Sequence, residues 1–200
     1  MRFLALGDSY TIGESVGPSE RWPVQLAALL RGQGIDTQAP IIIARTGWTT
    51  AELSEGIDRA NPTGVYDLVS LLIGVNNQYR GRSLEEYRQE FVVLLERAIA
   101  FAGQNPSRVL VLSIPDWSVT PFAAGHDRAA IATGIDRFNA VNREEAGRPG
   151  ARYVDVTPIS RQALTDPSLL APDGLHPSGR MYAEWVRLAL PAASAALAGT

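Results

Sequence analysis

Two kinds of apolar pattern alternate along this chain. Short, mainly apolar runs, several rich in β-branched residues, occupy 2–6, 41–44, 67–73, 108–114 and 152–156. They have too few residues for helices of ordinary length and read as buried strands. Between them, apolar residues recur at spacings of three and four. Leu84, Tyr87, Phe91, Leu94, Leu95 and Ala98 share one helical face, as do Ile131, Ile135, Phe138 and Val141. A last helix, opening at Ser178, carries Met181, Trp185, Leu188 and Leu190.

Start and stop signals agree with that division. Pro23 suits the first turn of a helix that Gly32 and Gly34 end. Thr49-Thr50-Ala51-Glu52 and Ser83-Leu84-Glu85-Glu86 both have the spacing of a capping box. Residues 11–20 are rich in Gly, Ser and Pro and read as a loop. Strands alternating with helices predict an α/β fold, a parallel sheet covered on both faces.

Composition narrows the classes. At 200 residues, 46% hydrophobic and 20% charged, one globular domain over 1–200 accounts for the chain. A net charge of -3 provides no basic field for nucleic acid. The absence of cysteine excludes disulfides and thiolate chemistry. No stretch approaches the roughly 20 apolar residues of a membrane span. The opening apolar run leads directly into Gly7-Asp8-Ser9 and does not have the form of a cleavable leader. The chain as given is therefore expected in the cytoplasm, although a leader already removed would leave the same sequence.

Chemistry concentrates at the two ends. Gly7-Asp8-Ser9 follows the first strand, and ligands of open α/β sheets bind beyond the carboxyl ends of strands. Near the other end, Asp173-Gly174-Leu175-His176-Pro177 places an acid three residues before a histidine. A serine hydroxyl needs a base to become a nucleophile, and that base needs a partner to fix its tautomer. Ser9, His176 and Asp173 can fill these roles if the fold brings the termini together. Asp8, adjacent to the serine, is expected to brace the turn rather than serve as that partner. The other histidine, His126, belongs to no cluster with metal-ligand spacing, so neither metal nor cofactor is expected.

Four blocks in order, Gly7-Asp8-Ser9, Gly47, Gly74-Val75-Asn76-Asn77 and Asp173-Gly174-Leu175-His176-Pro177, resemble the SGNH (GDSL-type) hydrolases. The resemblance spans nearly the whole chain. It implies a three-layer α/β/α domain with five parallel strands in the flavodoxin-like order 2-1-3-4-5. It also implies an oxyanion hole made of the Ser9 and Gly47 backbone N–H groups and the Asn76 side chain. Two positions depart from the common pattern: Tyr10 stands where leucine is usual, and Asn77 where aspartate is usual.

The expected activity is hydrolysis of a small carboxylic ester through an acyl-enzyme on Ser9. Short-chain acyl, aryl and acetylated-sugar esters all remain open. Tyr10, Trp48, Trp117 and Phe122 are the candidate pocket residues. An acyltransferase using the same intermediate and a non-catalytic binding domain on the same fold are the alternatives. Nucleotide binding lacks its signatures, since neither Gly-Lys-Ser/Thr nor Gly-x-Gly-x-x-Gly follows the first strand. The sequence does not fix the oligomeric state.

Overall fold

In the computed structural model, which describes residues 1–198, β1 (Phe3–Gly7) is an interior strand of a five-stranded sheet, next to its edge. It pairs on one side with β2 (Ile41–Ala44) and on the other with β3 (Leu68–Leu72). β4 (Val109–Leu112) and β5 (Arg152–Val154) follow outward. All pairings are parallel and the order is 2-1-3-4-5. Gly199 and Thr200, the end of the domain expected over 1–200, lie outside the described residues.

Burial explains why the strands read as mainly apolar runs rather than alternations. Every residue of β1, β3 and β4 is buried, because helices cover both faces. The edge strand β2 is partly exposed at Ile41. Around the sheet run α1 (Ser9–Ile12), α2 (Trp22–Gly32), α3 (Thr50–Ala60), α4 (Val75–Tyr79), α5 (Leu84–Phe101), α6 (Arg128–Gly147), α7 (Thr157–Arg161) and α8 (Gly179–Leu197). Helix α2 packs on α8, while α5 packs on both α3 and α6. Trp22 of α2 and Trp185 of α8 are fully buried, as are Tyr87 and Phe91 of α5.

Two local expectations change. The Thr49 box forms completely, with Thr49 accepting from the Glu52 N–H and Glu52 accepting from the Thr49 N–H. At Ser83 only half forms: its hydroxyl accepts from the Glu86 N–H at 3.1 Å, but the Glu86 carboxylate turns to Arg82. An arginine one turn away competes with the backbone for that carboxylate. The stretch after Ser9 is also not all loop, since its first residues form the single turn of α1.

Candidate active site

The site begins where β1 stops. Gly7 cannot carry a side chain there, because an added Cβ would lie 2.5 Å from the Leu72 carbonyl and 2.2 Å from Thr11 Oγ1. The turn behind the serine is therefore too close to β3 and α1 for any residue but glycine. Asp8 caps α1, its side chain accepting from the Tyr10 N–H at 3.0 Å. That is the bracing role expected of it. Burial away from water, only partly offset by hydrogen bonds from the Tyr10 and Asp8 backbone N–H groups, pushes its carboxyl up to about 7. Ser9, the first residue of α1, is thereby set at the carboxyl end of the interior strand β1.

The acid and the histidine come off a tight loop closed at its base. Leu170 and Pro177 form an antiparallel bridge. The Ala171 N–H donates to the His176 carbonyl at 2.7 Å, and the Ser178 N–H to the Leu169 carbonyl at 2.8 Å. Gly174 turns the chain with φ +70°. Within this loop Asp173 Oδ1 accepts from the Leu175 and His176 N–H groups, each at 2.9 Å. Its Oδ2 meets His176 Nδ1 at 2.7 Å and accepts from Ser15 Oγ at 2.6 Å.

Partial burial works against ionisation of Asp173. Donation from Ser15, His176 and the two backbone N–H groups outweighs it and holds the carboxyl well below the usual range. A permanent carboxylate on Nδ1 leaves Nε2 of the imidazole as the nitrogen able to accept a proton.

Two further strand exits reach the same edge. Gly47, after β2, has φ +86°, and its carbonyl accepts from Arg80 at 2.7 Å while Arg80 also pairs with Glu52. Asn76, in the first turn of α4, donates through Nδ2 to the Trp48 carbonyl at 2.9 Å. A primary amide has two hydrogens, so one remains for another acceptor. Gly74 enters this turn with φ +128°, where an added Cβ would lie 2.5 Å from the Tyr87 hydroxyl.

Asn77 faces the other way. It accepts from the Thr50 N–H at 3.1 Å and donates to Thr50 Oγ1 at 2.6 Å and to Glu90 at 3.4 Å. The Thr50 hydroxyl donates to Glu90 as well. Glu90 of α5 thus supplies the carboxylate of this buried cluster. An amide at position 77 can donate to it, which an ionised aspartate could not.

Ser9, Gly47, Asn76 and His176 line one cavity of about 160 Å³. Tyr10, Trp117 and Phe122 also line it, with Thr46, Val75, Tyr79 and Leu175. Trp48 does not: its indole packs over Gly56 of α3, where an added Cβ would be 2.2 Å from the ring. Gly47 and Trp48 part because the left-handed glycine turns the chain between them. The Tyr10 ring lies edge-on to the His176 ring, 5.6 Å between centroids. Trp117 contacts Tyr79 and Phe122 at 5.5 and 5.9 Å, and its Nε1 donates to Gln78 at 2.9 Å.

Tyr79 was not legible as part of this wall, because only the helical turn of α4 carries it there from Asn76. Ser15 was equally hidden within a polar loop. Among the described residues no group of three His, Cys, Asp or Glu side chains could hold a metal ion. No helix among them is long and apolar enough to cross a membrane.

Comparisons with known proteins bear on the family and the fold. Residues 5–184 match the model of the GDSL-like lipase/acylhydrolase family. No curated protein sequence matches the chain. Among solved structures, TesA superposes with a TM-score of 0.73 at 19% identity, covering 98% of this chain and 100% of that one. Axe2, an acetylxylan esterase from Geobacillus stearothermophilus, gives 0.73 at 19% identity, with 96% and 93% covered. A mutant of the esterase AlinE4 gives 0.66 at 25% identity, with 98% and 96% covered. These structures share the α/β/α fold, and the family model spans most of the sequence. The chain therefore belongs to the GDSL-like lipase/acylhydrolase family.

Proposed function

We propose that the protein is a serine esterase that hydrolyses small carboxylic esters. The observation that carries this reading is the 2.7 Å contact between Asp173 Oδ2 and His176 Nδ1, with the His176 ring lining the same cavity as Ser9. In this reading Ser9 Oγ attacks the ester carbonyl carbon as His176 Nε2 takes its proton. The carbonyl oxygen becomes an oxyanion, held by the Ser9 and Gly47 N–H groups and the second Asn76 amide hydrogen. The carbon–oxygen bond to the alcohol then breaks, and His176 returns the proton to the leaving oxygen. Water, deprotonated by the same nitrogen, releases the acid and restores Ser9.

The size and lining of the cavity favour a short acyl group. A volume of about 160 Å³ suits a short chain, and the aromatic side chains Tyr79, Trp117 and Phe122 offer flat faces to an aryl group or a sugar ring. The acetylxylan esterase among the fold's neighbours fits the last of these. Short-chain acyl, aryl and acetylated-sugar esters form the substrate range.

The reading is tested by intact mass after treatment with excess small organophosphonate. One adduct is expected on the parent, none on folded Ser9→Ala, and strongly slowed labelling of His176→Ala. A folded parent that takes no adduct would overturn the reading.

A further inference from the structure

The loop between α1 and α2 touches the site in two directions from adjacent residues. Its first N–H groups, those of Gly13 and Glu14, both donate to the carbonyl of Ser9 at 3.0 Å. The loop is thus hung on the serine residue itself. Glu14 then accepts a hydrogen bond from the Thr46 hydroxyl, next to Gly47. Ser15 turns away from it and donates to Asp173 Oδ2 at 2.6 Å, across 158 positions of sequence.

The backbone conformation that separates these two side chains is uncommon. Ser15 has φ +65°, in the left-handed region that residues with a Cβ rarely adopt. Glycine would take this conformation freely, yet the position carries a hydroxyl, and that hydroxyl ends on the oxygen that also faces His176 Nδ1. Asp173 Oδ1 is already occupied by two backbone N–H groups of its own loop. Ser15 is therefore the donor from outside that loop that fixes where Oδ2 lies.

We propose that Ser15 is a positioning residue for the reaction: its hydroxyl holds Asp173 Oδ2 against the histidine and ties the acid's loop to the segment hung on the nucleophile. This rests on the serine-esterase reading above. The ionisable groups around the contact are Asp173, His176, Glu14 on Ser15's own segment, and the buried phenols of Tyr10 and Tyr182, which burial raises well above their ordinary range and so keeps neutral. Without the hydroxyl, the Asp173 carboxylate shares its charge with one fewer donor. It then holds an imidazolium proton more tightly, so the histidine becomes available as a base only at higher pH.

The test compares Ser15→Ala and Ser15→Gly with the parent, by phosphonate labelling of Ser9 and by kcat and KM on a small acetyl ester across pH. Both variants lack the hydroxyl, but only alanine retains the left-handed strain. The expected result is a kcat about tenfold lower in both, as for loss of a hydrogen bond to a charged group, with KM little changed. The acidic limb of kcat/KM should also move upward in both, by about half a pH unit. If Ser15→Gly keeps the parent's rate and acidic limb while the parent labels on Ser9, Ser15 is structural only and the proposal is overturned with the esterase reading intact. A folded parent that fails to label overturns both.

Discussion

The side-chain amide of Asn76 donates to the backbone carbonyl of Trp48 at 2.9 Å, fastening the exit of the third strand to that of the second. The bond spends one amide hydrogen on position and leaves the other for chemistry. Beside it, Arg80 holds the Gly47 carbonyl at 2.7 Å. Two of the three proposed oxyanion donors, Gly47 and Asn76, are thus fixed by contacts outside the reacting groups, so they need not reorganise as charge develops.

Asn76→Ala should therefore lower kcat by about 100- to 1,000-fold with little change in KM, the size typical for one oxyanion donor. Steady-state kinetics on a small ester decides it. Equal loss in kcat/KM and kcat marks an interaction made in the transition state, whereas a rise in KM alone would assign Asn76 to ground-state binding.

Gly7→Ala tests the close packing behind the serine. The nearest backbone atom to an added methyl is the Leu72 carbonyl oxygen at 2.5 Å, part of the central β1 and β3 pairing. A strand carbonyl cannot swing aside as a flexible side chain can. The expected cost is roughly 3 kcal/mol or more, comparable to overpacking a core. Urea unfolding monitored by tryptophan fluorescence would show it, and a midpoint equal to the parent's would mean that the turn relaxes freely.

Much of this architecture was legible in the chain because burial on both faces leaves a plain mark. β1, β3 and β4 read as mainly apolar runs without alternation since no residue in them faces water. The strand ends were less legible. The sequence runs predicted for these strands extend to 114 and 156, but β4 ends at Leu112 and β5 at Val154, and beyond them side-chain partners take over much of the bonding. The Ser113 hydroxyl accepts from the Val156 and Thr157 N–H groups, and the Ile114 N–H donates to Asn139.

Within the site, residues adjacent to a glycine or aspartate in a recognisable block could be read. Contacts made across sequence could not. Ser15 reaches Asp173 only because the termini meet, and Tyr79 joins the cavity only because α4 is helical. Trp48 shows the opposite error, since proximity to Gly47 in sequence does not survive a left-handed turn.

Asp8 offers a prediction about stability rather than rate. Its carboxyl is fully buried and one oxygen, Oδ2, has no hydrogen-bond partner among the described residues. Burial raises its pKa in the folded chain to about 7. In the unfolded chain a carboxyl ionises near pH 4. Below about pH 4 the group is neutral in both states and makes no difference. Between about pH 4 and 7 the unfolded chain releases a proton that the folded chain retains, so stability falls as pH rises. Above about pH 7 both states are ionised and the deficit is constant. Asn at this position stays neutral throughout and keeps an oxygen to accept the Tyr10 N–H. Asp8→Asn should therefore gain stability relative to the parent as pH rises, by on the order of 2 to 4 kcal/mol between pH 4 and 8. Urea unfolding of both proteins at these two pH values isolates the effect, because every other titrating group is common to the pair. A difference that stays constant between them would place the Asp8 charge in contact with water and remove the burial argument.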